Sequence, residues 1–165
     1  MKSLTLEQLS APVTDLRTMC TPALEQWHWL LPPSLELEPL LLTALGDLFL
    51  EAPDQSVLFL DTTDGTVTLI AKNRESWQRQ LQDSERLSYW FQPGFVAALR
   101  ASGYSLADGE VFSPTIPPIL GGKQAPENYS PTHWLAHFHL LGQIHRQVKD
   151  LPSGTKISSI KVKSW

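Results

Sequence analysis

The 165-residue chain contains a single cysteine, Cys20. One cysteine excludes an internal disulfide and a zinc site built from several thiolates, and it is typical of a reducing compartment. The apolar neighbours of Cys20 favour a buried thiol over a nucleophile.

The chain also lacks an apolar run near the ~18 residues that a membrane helix requires, and no apolar run follows Lys2 as it would in a signal peptide. We therefore expect a cytoplasmic protein without a membrane span.

Basic residues are scarce in the first 64 positions, which hold ten acidic residues against Lys2 and Arg17, a net charge of −8. Residues 65–165 carry a net charge of +4. An excess of carboxylates repels nucleic acid and attracts a basic protein surface, such as that of a nuclease. A merely solvated acidic face is the simpler alternative. The partner-binding candidates are Glu36, Glu38, Asp54 and Asp64.

Hydrophobic periodicity predicts helix in the first third of the chain, with Trp27 and Leu31 on one buried face before Pro32 and Pro33. Three runs rich in β-formers follow, Gly46–Glu51, Val57–Asp61 and Thr66–Ala71, separated by turn sequences. Their short spacing predicts an antiparallel meander. In the third run Val67, Leu69 and Ala71 alternate with threonines, as in a strand with one solvated face.

The second half is expected to be largely helical. The predicted helices carry Trp77 and Leu81 after an Asn73 cap, then Leu87, Trp90 and Phe91, then Phe95, Val96 and Leu99. Residues 104–130 are predicted to be an ordered loop in which Ile119 and Leu120 are buried. A long helix is predicted from a Ser130 cap and Pro131 to about Lys149, with the apolar stripe Trp134, Phe138, Leu141, Ile144 and Val148. Residues 157–162 are interpreted as a closing strand or a loosely held tail.

These elements predict one α+β domain over residues 1–165, in which an antiparallel β-meander packs with several helices and a long C-terminal helix. The hydrophobic fraction of 42% is sufficient for a core of its own, since the length is that of one ordinary domain.

Histidines form the most distinctive chemical cluster. His133 and His137 have the i, i+4 spacing of a metal-ligand pair, and His139 and His145 follow. On a helical wheel His145 falls within the apolar stripe, His137 at its edge and His139 on the opposite side, so the four do not converge. We expect His145 to be a core imidazole bonded to backbone, His139 to be exposed, and no metal to be bound.

Motifs for other chemistry are missing. The sequence has no Gly-x-Ser-x-Gly elbow, no dinucleotide fingerprint and no phosphate loop, so we expect no enzyme activity and no cofactor. The basic positions Lys156, Lys161 and Lys163 lack interleaved aromatics, so nucleic-acid binding is not expected.

Four phrases of the sequence together resemble the C-terminal domain of the type VI secretion DNase-immunity family. They are Gly46-Asp47-Leu48-Phe49-Leu50, Leu60-Asp61-Thr62 with Gly65, Pro117-Pro118-Ile119-Leu120-Gly121-Gly122 with Glu127-Asn128, and Leu141-Gly142-Gln143-Ile144-His145 running on to Asp150-Leu151-Pro152-Ser153-Gly154-Thr155. The resemblance spans about residues 43–157, and residues 27–31 fit a tryptophan-bearing lead-in.

The resemblance implies a non-catalytic, cytoplasmic immunity protein that binds and neutralises a cognate toxin, for which the acidic half suggests a basic protein and a nuclease. The motif residues are interpreted as structural: Gly46, Asp47, Gly65, Gly121, Gly122, Asn128, Gly142, Gln143, His145, Pro152 and Gly154. Two alternatives stay open, a regulatory or small-molecule module with a tryptophan-lined pocket and a His-dependent metalloenzyme. The sequence does not determine the oligomeric state.

Overall fold

The computed structural model describes residues 3–164 and shows an α+β architecture. The α-helices are α1 Leu6–Leu9, α2 Leu16–Leu24, α3 Arg74–Gln80, α4 Ser84–Phe91, α5 Pro93–Ala101 and α6 Trp134–Val148. The strands are β1 Glu38–Leu42, β2 Leu48–Glu51, β3 Val57–Asp61, β4 Thr66–Ala71, β5 Glu110–Pro114 and β6 Tyr129–His133. Short 3₁₀ helices cover Glu25–Trp27, Pro118–Leu120 and Pro126–Asn128. No helix among these residues is long and apolar enough to cross a membrane.

Strands β1 to β4 form one antiparallel sheet in the order β1-β2-β3-β4, which confirms the predicted meander. Strand β1 was not predicted, because the first third was expected to be helical. Pro39 and three consecutive leucines hide the strand pattern, and β1 also carries an irregularity between Pro39 and Leu41. An edge strand tolerates proline since one side of its backbone is unpaired.

The sheet separates two apolar clusters because neighbouring side chains of a strand point to opposite faces. Leu48, Leu50 and Leu60 pack with Trp27 and with the buried side of α6. Residues of β2, β3 and α3 to α5 pack on the other face, where Phe49, Phe59, Trp77, Trp90 and Phe91 are buried. A helical layer therefore covers each face, and the loops at the sheet ends are left to form the surface.

One expectation about β4 is wrong. Leu69 is 64% exposed although it shares the alternation with Val67 and Ala71. The register shifts between Val57 and Leu58, so that Ile70 is an additional residue opposite β3. An irregularity of this kind interrupts the alternation, and here it falls on the edge strand.

The segment predicted as a loop contains a second sheet. Strands β5 and β6 pair from Glu110 opposite His133 to Pro114 opposite Tyr129. The predicted helix start at Ser130 and Pro131 is therefore wrong, because Pro131 lies in β6 opposite Phe112. The fixed φ of proline suits an extended edge as well as a first helical turn. The burial expected for Ile119 is also wrong, since this side chain is 45% exposed.

Helix α6 begins at Trp134, and the His133 side chain caps it by accepting from the Leu135 amide at 3.3 Å. The predicted apolar stripe of α6 is confirmed, since all five of its side chains are buried.

Trp27 is fully buried, as predicted, and its Nε1 donates to the Phe138 carbonyl at 3.0 Å. Cys20 is buried as well, which raises the pKa of its thiol to about 12.

Candidate functional site

A surface cavity of about 500 Å³ lies where the β3–β4 turn, α4, the loop after β5 and the start of β6 meet. We call it the acidic cleft. Its walls comprise Asp61, Thr63, Asp64, Ser88, Tyr89, Gln92, Pro118, Gly122, Gln124 and Tyr129. All four family-like phrases contribute to this region or to the layer below it, although they are far apart in the chain.

The β3–β4 turn supplies the charge of the acidic cleft. Asp61 accepts from the Asp64 amide at 2.8 Å, and the Gly65 amide donates to the Asp61 carbonyl at 2.9 Å. Burial and, less strongly, the charge of Asp64 raise the pKa of Asp61. Gly65 has a φ of 67°, and a Cβ there would lie 2.5 Å from Nδ1 of His145. Glycine therefore both permits this turn and lets it pack on the α6 imidazole.

His145 joins the turn to α6 from below. Its Nε2 donates to the Thr62 carbonyl at 3.0 Å, as expected for a core imidazole bonded to backbone. Burial lowers the pKa of His145, against the opposing influence of the Thr62 and Thr63 carbonyls and the charges of Asp61 and Asp64. A neutral His145 thus fixes the position of the acidic turn without neutralising it.

Behind the turn lies a buried polar network of Asp47, Thr62, His137 and Ser113. Thr62 donates its amide to Asp47 Oδ1 at 2.8 Å, and its hydroxyl lies 3.0 Å from the same oxygen. The hydroxyl also lies 2.9 Å from His137 Nε2, and Ser113 Oγ lies 2.8 Å from His137 Nδ1. The network thereby joins Asp47, which precedes β2, and Thr62, which follows β3, to β5 and to α6.

Burial shifts the pKa values of two of these groups, His137 and Asp47. It lowers the pKa of His137 to about 3, so the imidazole is neutral in the core. Burial, together with the charge of Asp61, raises the pKa of Asp47 well above its usual range, against the two Thr62 hydrogen bonds that lower it. The order Ser–His–Thr–Asp is suggestive of a nucleophile relay. Each of the four is at most 4% exposed, so a substrate does not reach Ser113 in this structure.

The loop after β5 forms the opposite wall. Asn128 holds it by accepting from the Ile116 amide at 3.0 Å and donating to the Ile116 and Lys123 carbonyls at 2.9 Å each. Gly121 has a φ of 90°, and a Cβ on Gly122 would lie only 1.7 Å from the Ile116 carbonyl oxygen. A side chain at Gly122 would thus displace the wall.

Aromatic and amide side chains complete the rim. Tyr89 is 70% exposed because the buried face of α4 is occupied by Trp90 and Phe91. Tyr129 lies deeper, and burial with the charges of Asp47 and Asp61 raises its pKa to about 12. Gln124 is hydrogen-bonded to Gln92, which links the two walls. Tyr89 was not identified from the sequence. The available signal is that Tyr89 directly precedes two apolar aromatic residues in a short helix and carries a polar hydroxyl group, which favours the solvent side of the helix.

The structure divides the four predicted contact residues between two places. Asp64 lies on the acidic cleft. Glu38 pairs with Glu51, and Glu51 pairs with Val57, so Glu38 and the Asp54 turn lie at the opposite end of the sheet. The length of β3 alone separates the two ends by about 13 Å. Glu36 and Glu38 line a different cavity, of about 430 Å³.

The acidic first half does not form one continuous surface. Asp47 is buried, Glu51 forms an ion pair with Arg74 at 2.9 Å, and Glu38 lies 3.6 Å from Arg17. Sequence counting treats these carboxylates as free surface charge, whereas the fold buries one and pairs two. Of the remaining first-half carboxylates, Asp61 and Asp64 lie together at the acidic cleft.

The histidines are also placed apart. His137 is 1% exposed and not at the edge of the stripe, and both of its ring nitrogens face partners in the buried polar network. His133 precedes α6 as its cap. His139 is half-buried, not exposed as expected, and its Nε2 donates to the Lys163 carbonyl at 2.6 Å. Within residues 3–164 no three metal-ligating side chains are grouped for an ion.

Four of the six tryptophans of the small-molecule alternative lie in the core, Trp29 is half-buried, and Trp165 lies outside the described residues. Trp27, Trp77, Trp90 and Trp134 are each at most 6% exposed. The aromatic side chains that line the acidic cleft are instead Tyr89 and Tyr129. These four tryptophans therefore do not line a surface pocket.

Comparison with known proteins gives one family match. Residues 71–145 match the family described as "T6SS immunity protein Tdi1, C-terminal". The comparison with curated proteins found no match. Among solved structures, the "Crystal structure of Atu4351 from Agrobacterium tumefaciens" is similar at 19% identity with a TM-score of 0.48, over 65% of this chain and 54% of that chain. The present chain thus spans about half the length of that protein.

The matched segment contains α3 to α5, both strands of the small sheet and α6 as far as His145, and most of the residues that line the acidic cleft fall within it. The segment is shorter than the resemblance noted from the sequence, which began near residue 43. The match confirms that resemblance in this part of the chain: residues 71–145 are similar to the C-terminal domain of the T6SS immunity protein Tdi1 family.

Proposed function

We propose that the chain is a non-catalytic immunity protein that binds and neutralises a toxin of the type VI secretion system, and that the acidic cleft is its contact surface. The observation that carries the proposal is the coincidence of the family-matched segment with this cleft. The toxin is a protein with a basic surface, as a nuclease has, and the two meet in the cytoplasm.

The chemistry of the acidic cleft supports a basic protein as the ligand. Asp61 and Asp64 provide negative charge within one turn, and Tyr89 offers a largely exposed ring beside them. Complementary charge speeds encounter and excludes wrong partners, and exposed tyrosines commonly provide binding energy at interface centres. Neutral His145 and His137 beneath the turn leave that charge uncompensated.

The direct test is co-expression with the product of the adjacent open reading frame. We expect the neighbour to be toxic alone, the two proteins to copurify, and co-expression to restore growth. Copurification that weakens with added salt is the expected signature of charged contact. A non-toxic neighbour that does not copurify contradicts the proposal.

The non-catalytic character is tested with Ser113→Ala. This substitution removes the primary hydroxyl that lies 2.8 Å from His137 Nδ1, which is the serine–imidazole arrangement of a nucleophile. We expect Ser113→Ala to rescue growth as fully as the unaltered chain, because protection depends on binding. Loss of rescue by a folded Ser113→Ala protein that still copurifies with the toxin would indicate catalysis.

A further inference from the structure

Residues 156–164, which we call the strap segment, follow α6, and side chains of that helix hold the segment at Lys161 and Lys163. Gln143 donates to the Lys163 carbonyl at 3.0 Å and accepts from the Lys163 amide at 2.8 Å. Gln147 donates to the Lys161 carbonyl at 2.8 Å and accepts from the Lys161 amide at 3.2 Å. The segment is thus neither the closing strand nor the loosely held tail that the sequence suggested.

Each glutamine acts as a substitute for a strand residue. A side-chain amide has one carbonyl and one N–H group, so it exchanges two hydrogen bonds with a backbone residue as a paired β-residue does. Gln143 and Gln147 are four residues apart on a helix, a rise of about 6 Å. Lys161 and Lys163 are two residues apart in extended chain, a rise of about 6.6 Å. The two repeats match, which gives a two-rung ladder.

Recognition in this ladder depends on backbone and not on side chains. In the strap segment all residues except Ile160 are exposed, and Val162, between the two bonded residues, is 46% exposed. Gln143, in contrast, is only 8% exposed, and His139 adds a donor to the Lys163 carbonyl. Gln143 therefore presents a nearly buried amide, and Gln147 an exposed one, toward a segment whose own side chains point mostly to solvent.

There is additional room beside the strap segment. A cavity of about 740 Å³ is bounded by Glu25, Gln26, His139, Arg146 and the two glutamines on one side and by Lys161, Lys163 and Ser164 on the other. Side chains of different sizes can be accommodated there without a change in the ladder.

We propose that Gln143 and Gln147 form a binding site for extended polypeptide, selective for backbone and tolerant of sequence, and that the strap segment is its resident ligand. The inference is independent of whether the acidic cleft binds a toxin. It assigns to α6 a second ligand class, an extended peptide, on a face of the helix away from the acidic turn.

The first test measures amide hydrogen exchange in the full chain by NMR. We expect slowed exchange at Lys161 and Lys163 and fast exchange at Val162 and Ser164, because alternate amides of an extended chain point in opposite directions. Replacing both glutamines, Gln143→Met and Gln147→Met, should accelerate exchange at the two lysines by about tenfold, the effect of one lost hydrogen bond each. Gln78→Met is the matched control, because Gln78 is an exposed glutamine on another helix, α3. Uniform exchange across residues 161–164, or no effect of the double substitution, would overturn the ladder.

The second test opens the site in the full chain. Lys161→Pro with Lys163→Pro removes both strap N–H donors and should release the side-chain amide resonances of Gln143 and Gln147 from their bonded positions. Two synthetic peptides are then titrated, one with the sequence of residues 156–164 and one with that sequence scrambled. We expect both to shift the glutamine resonances with dissociation constants within about threefold of each other. No shift at millimolar peptide, or binding of the native sequence alone, would refute the proposed selectivity.

Discussion

At the scale of single residues, Asp47 is a buried carboxylate whose partners, among residues 3–164, are hydrogen-bond donors and not cations. It accepts from the Thr62 amide, lies within bonding distance of the Thr62 hydroxyl, and its own amide donates to Thr43 Oγ1 at 3.0 Å. Burial raises its pKa. Its value to the fold therefore lies in the hydrogen bonds and not in its charge, since an unpaired buried charge is unfavourable.

Asp47→Asn and Asp47→Ala separate those two contributions. A group with a raised folded pKa stabilises most at low pH, and that contribution is lost as pH rises through the folded pKa. We expect Asp47→Asn to retain the Thr62 bond and to remove this part of the pH dependence, so that its stability relative to the unaltered chain improves from pH 5 to pH 8. Asp47→Ala should be about 1–3 kcal/mol less stable than Asp47→Asn at both pH values, because Thr62 loses its acceptor only in the alanine variant. Urea unfolding measures both, and equal losses for the two variants at pH 8 would contradict the argument.

His137 has the opposite pH dependence. Its pKa is lowered to about 3 by burial, so its contribution to stability is present above its unfolded pKa near 6.5 and is lost as pH falls toward 3. We expect its contribution to the free energy of unfolding to decrease by up to about 1.4 kcal/mol per pH unit below 6.5. His137→Gln should reduce this slope, whereas Ser113→Ala, which removes the same hydrogen bond without the titrating ring, should retain it. Chemical unfolding between pH 7 and pH 4 is the measurement, and an unchanged slope in His137→Gln would show that other groups are responsible.

At the scale of elements, α6 is positioned by close approach of the 3₁₀ helix that precedes β1. A Cβ on Gly142 would lie 2.8 Å from Gln26 Cβ and 2.9 Å from the Gln26 carbonyl oxygen. The backbone of Gln26 cannot move away cheaply, because the adjacent Trp27 is fully buried and bonded to Phe138. Glycine is thus kept at a position where alanine is the better helix former.

Gly142→Ala tests this packing against the matched control Gly94→Ala. Gly94 lies in α5, where a Cβ would meet nothing within 4 Å. We expect Gly94→Ala to be neutral or to stabilise by up to about 1 kcal/mol through helix propensity. Gly142→Ala should destabilise by about 1–3 kcal/mol, since overpacking outweighs that gain. Thermal or urea unfolding of both variants is sufficient, and a stabilised Gly142→Ala protein would show that α6 can shift freely.

At the scale of the whole molecule, charge is distributed between the two ends of the main sheet. Asp64 lies at the acidic cleft, and Glu36 lies near the other end, beside β1. Both side chains are exposed, and lysine at either position changes the charge equally. Lysine at each position therefore tests one of the two acidic surfaces, while the change in the net charge of the protein is the same.

At about 0.1 M salt, Asp64→Lys is expected to weaken toxin binding by about tenfold or more, because like charges would then meet at the interface. Glu36→Lys is expected to leave binding within about threefold, since long-range attraction is largely screened beyond about 10 Å. Titration calorimetry with the copurifying partner at two salt concentrations measures both. The reverse order of effects would move the contact surface to the β1 end of the sheet.

Much of the α+β architecture could be predicted from local sequence. The turns after Glu51 and Asp61 determined the meander, the Asn73 cap and the spacing of Trp77 determined α3, and the stripe from Trp134 to Val148 determined α6. These features depend on residues close in the chain, and hydrophobic period and capping chemistry report them directly. The same patterns identified Trp27 and Cys20 as core residues.

Only the tertiary structure decided the rest. Strands β5 and β6 pair across about 20 residues, so nothing local distinguished Pro131 in a strand from proline at a helix start. The acidic cleft brings Asp61, Tyr89 and Gly122 together from separate elements, and the same folding buries Asp47 and pairs Glu51, which no count of charges reveals. Local composition determines which segments can form helix or strand, whereas burial and long-range pairing determine which side chains remain available to a partner.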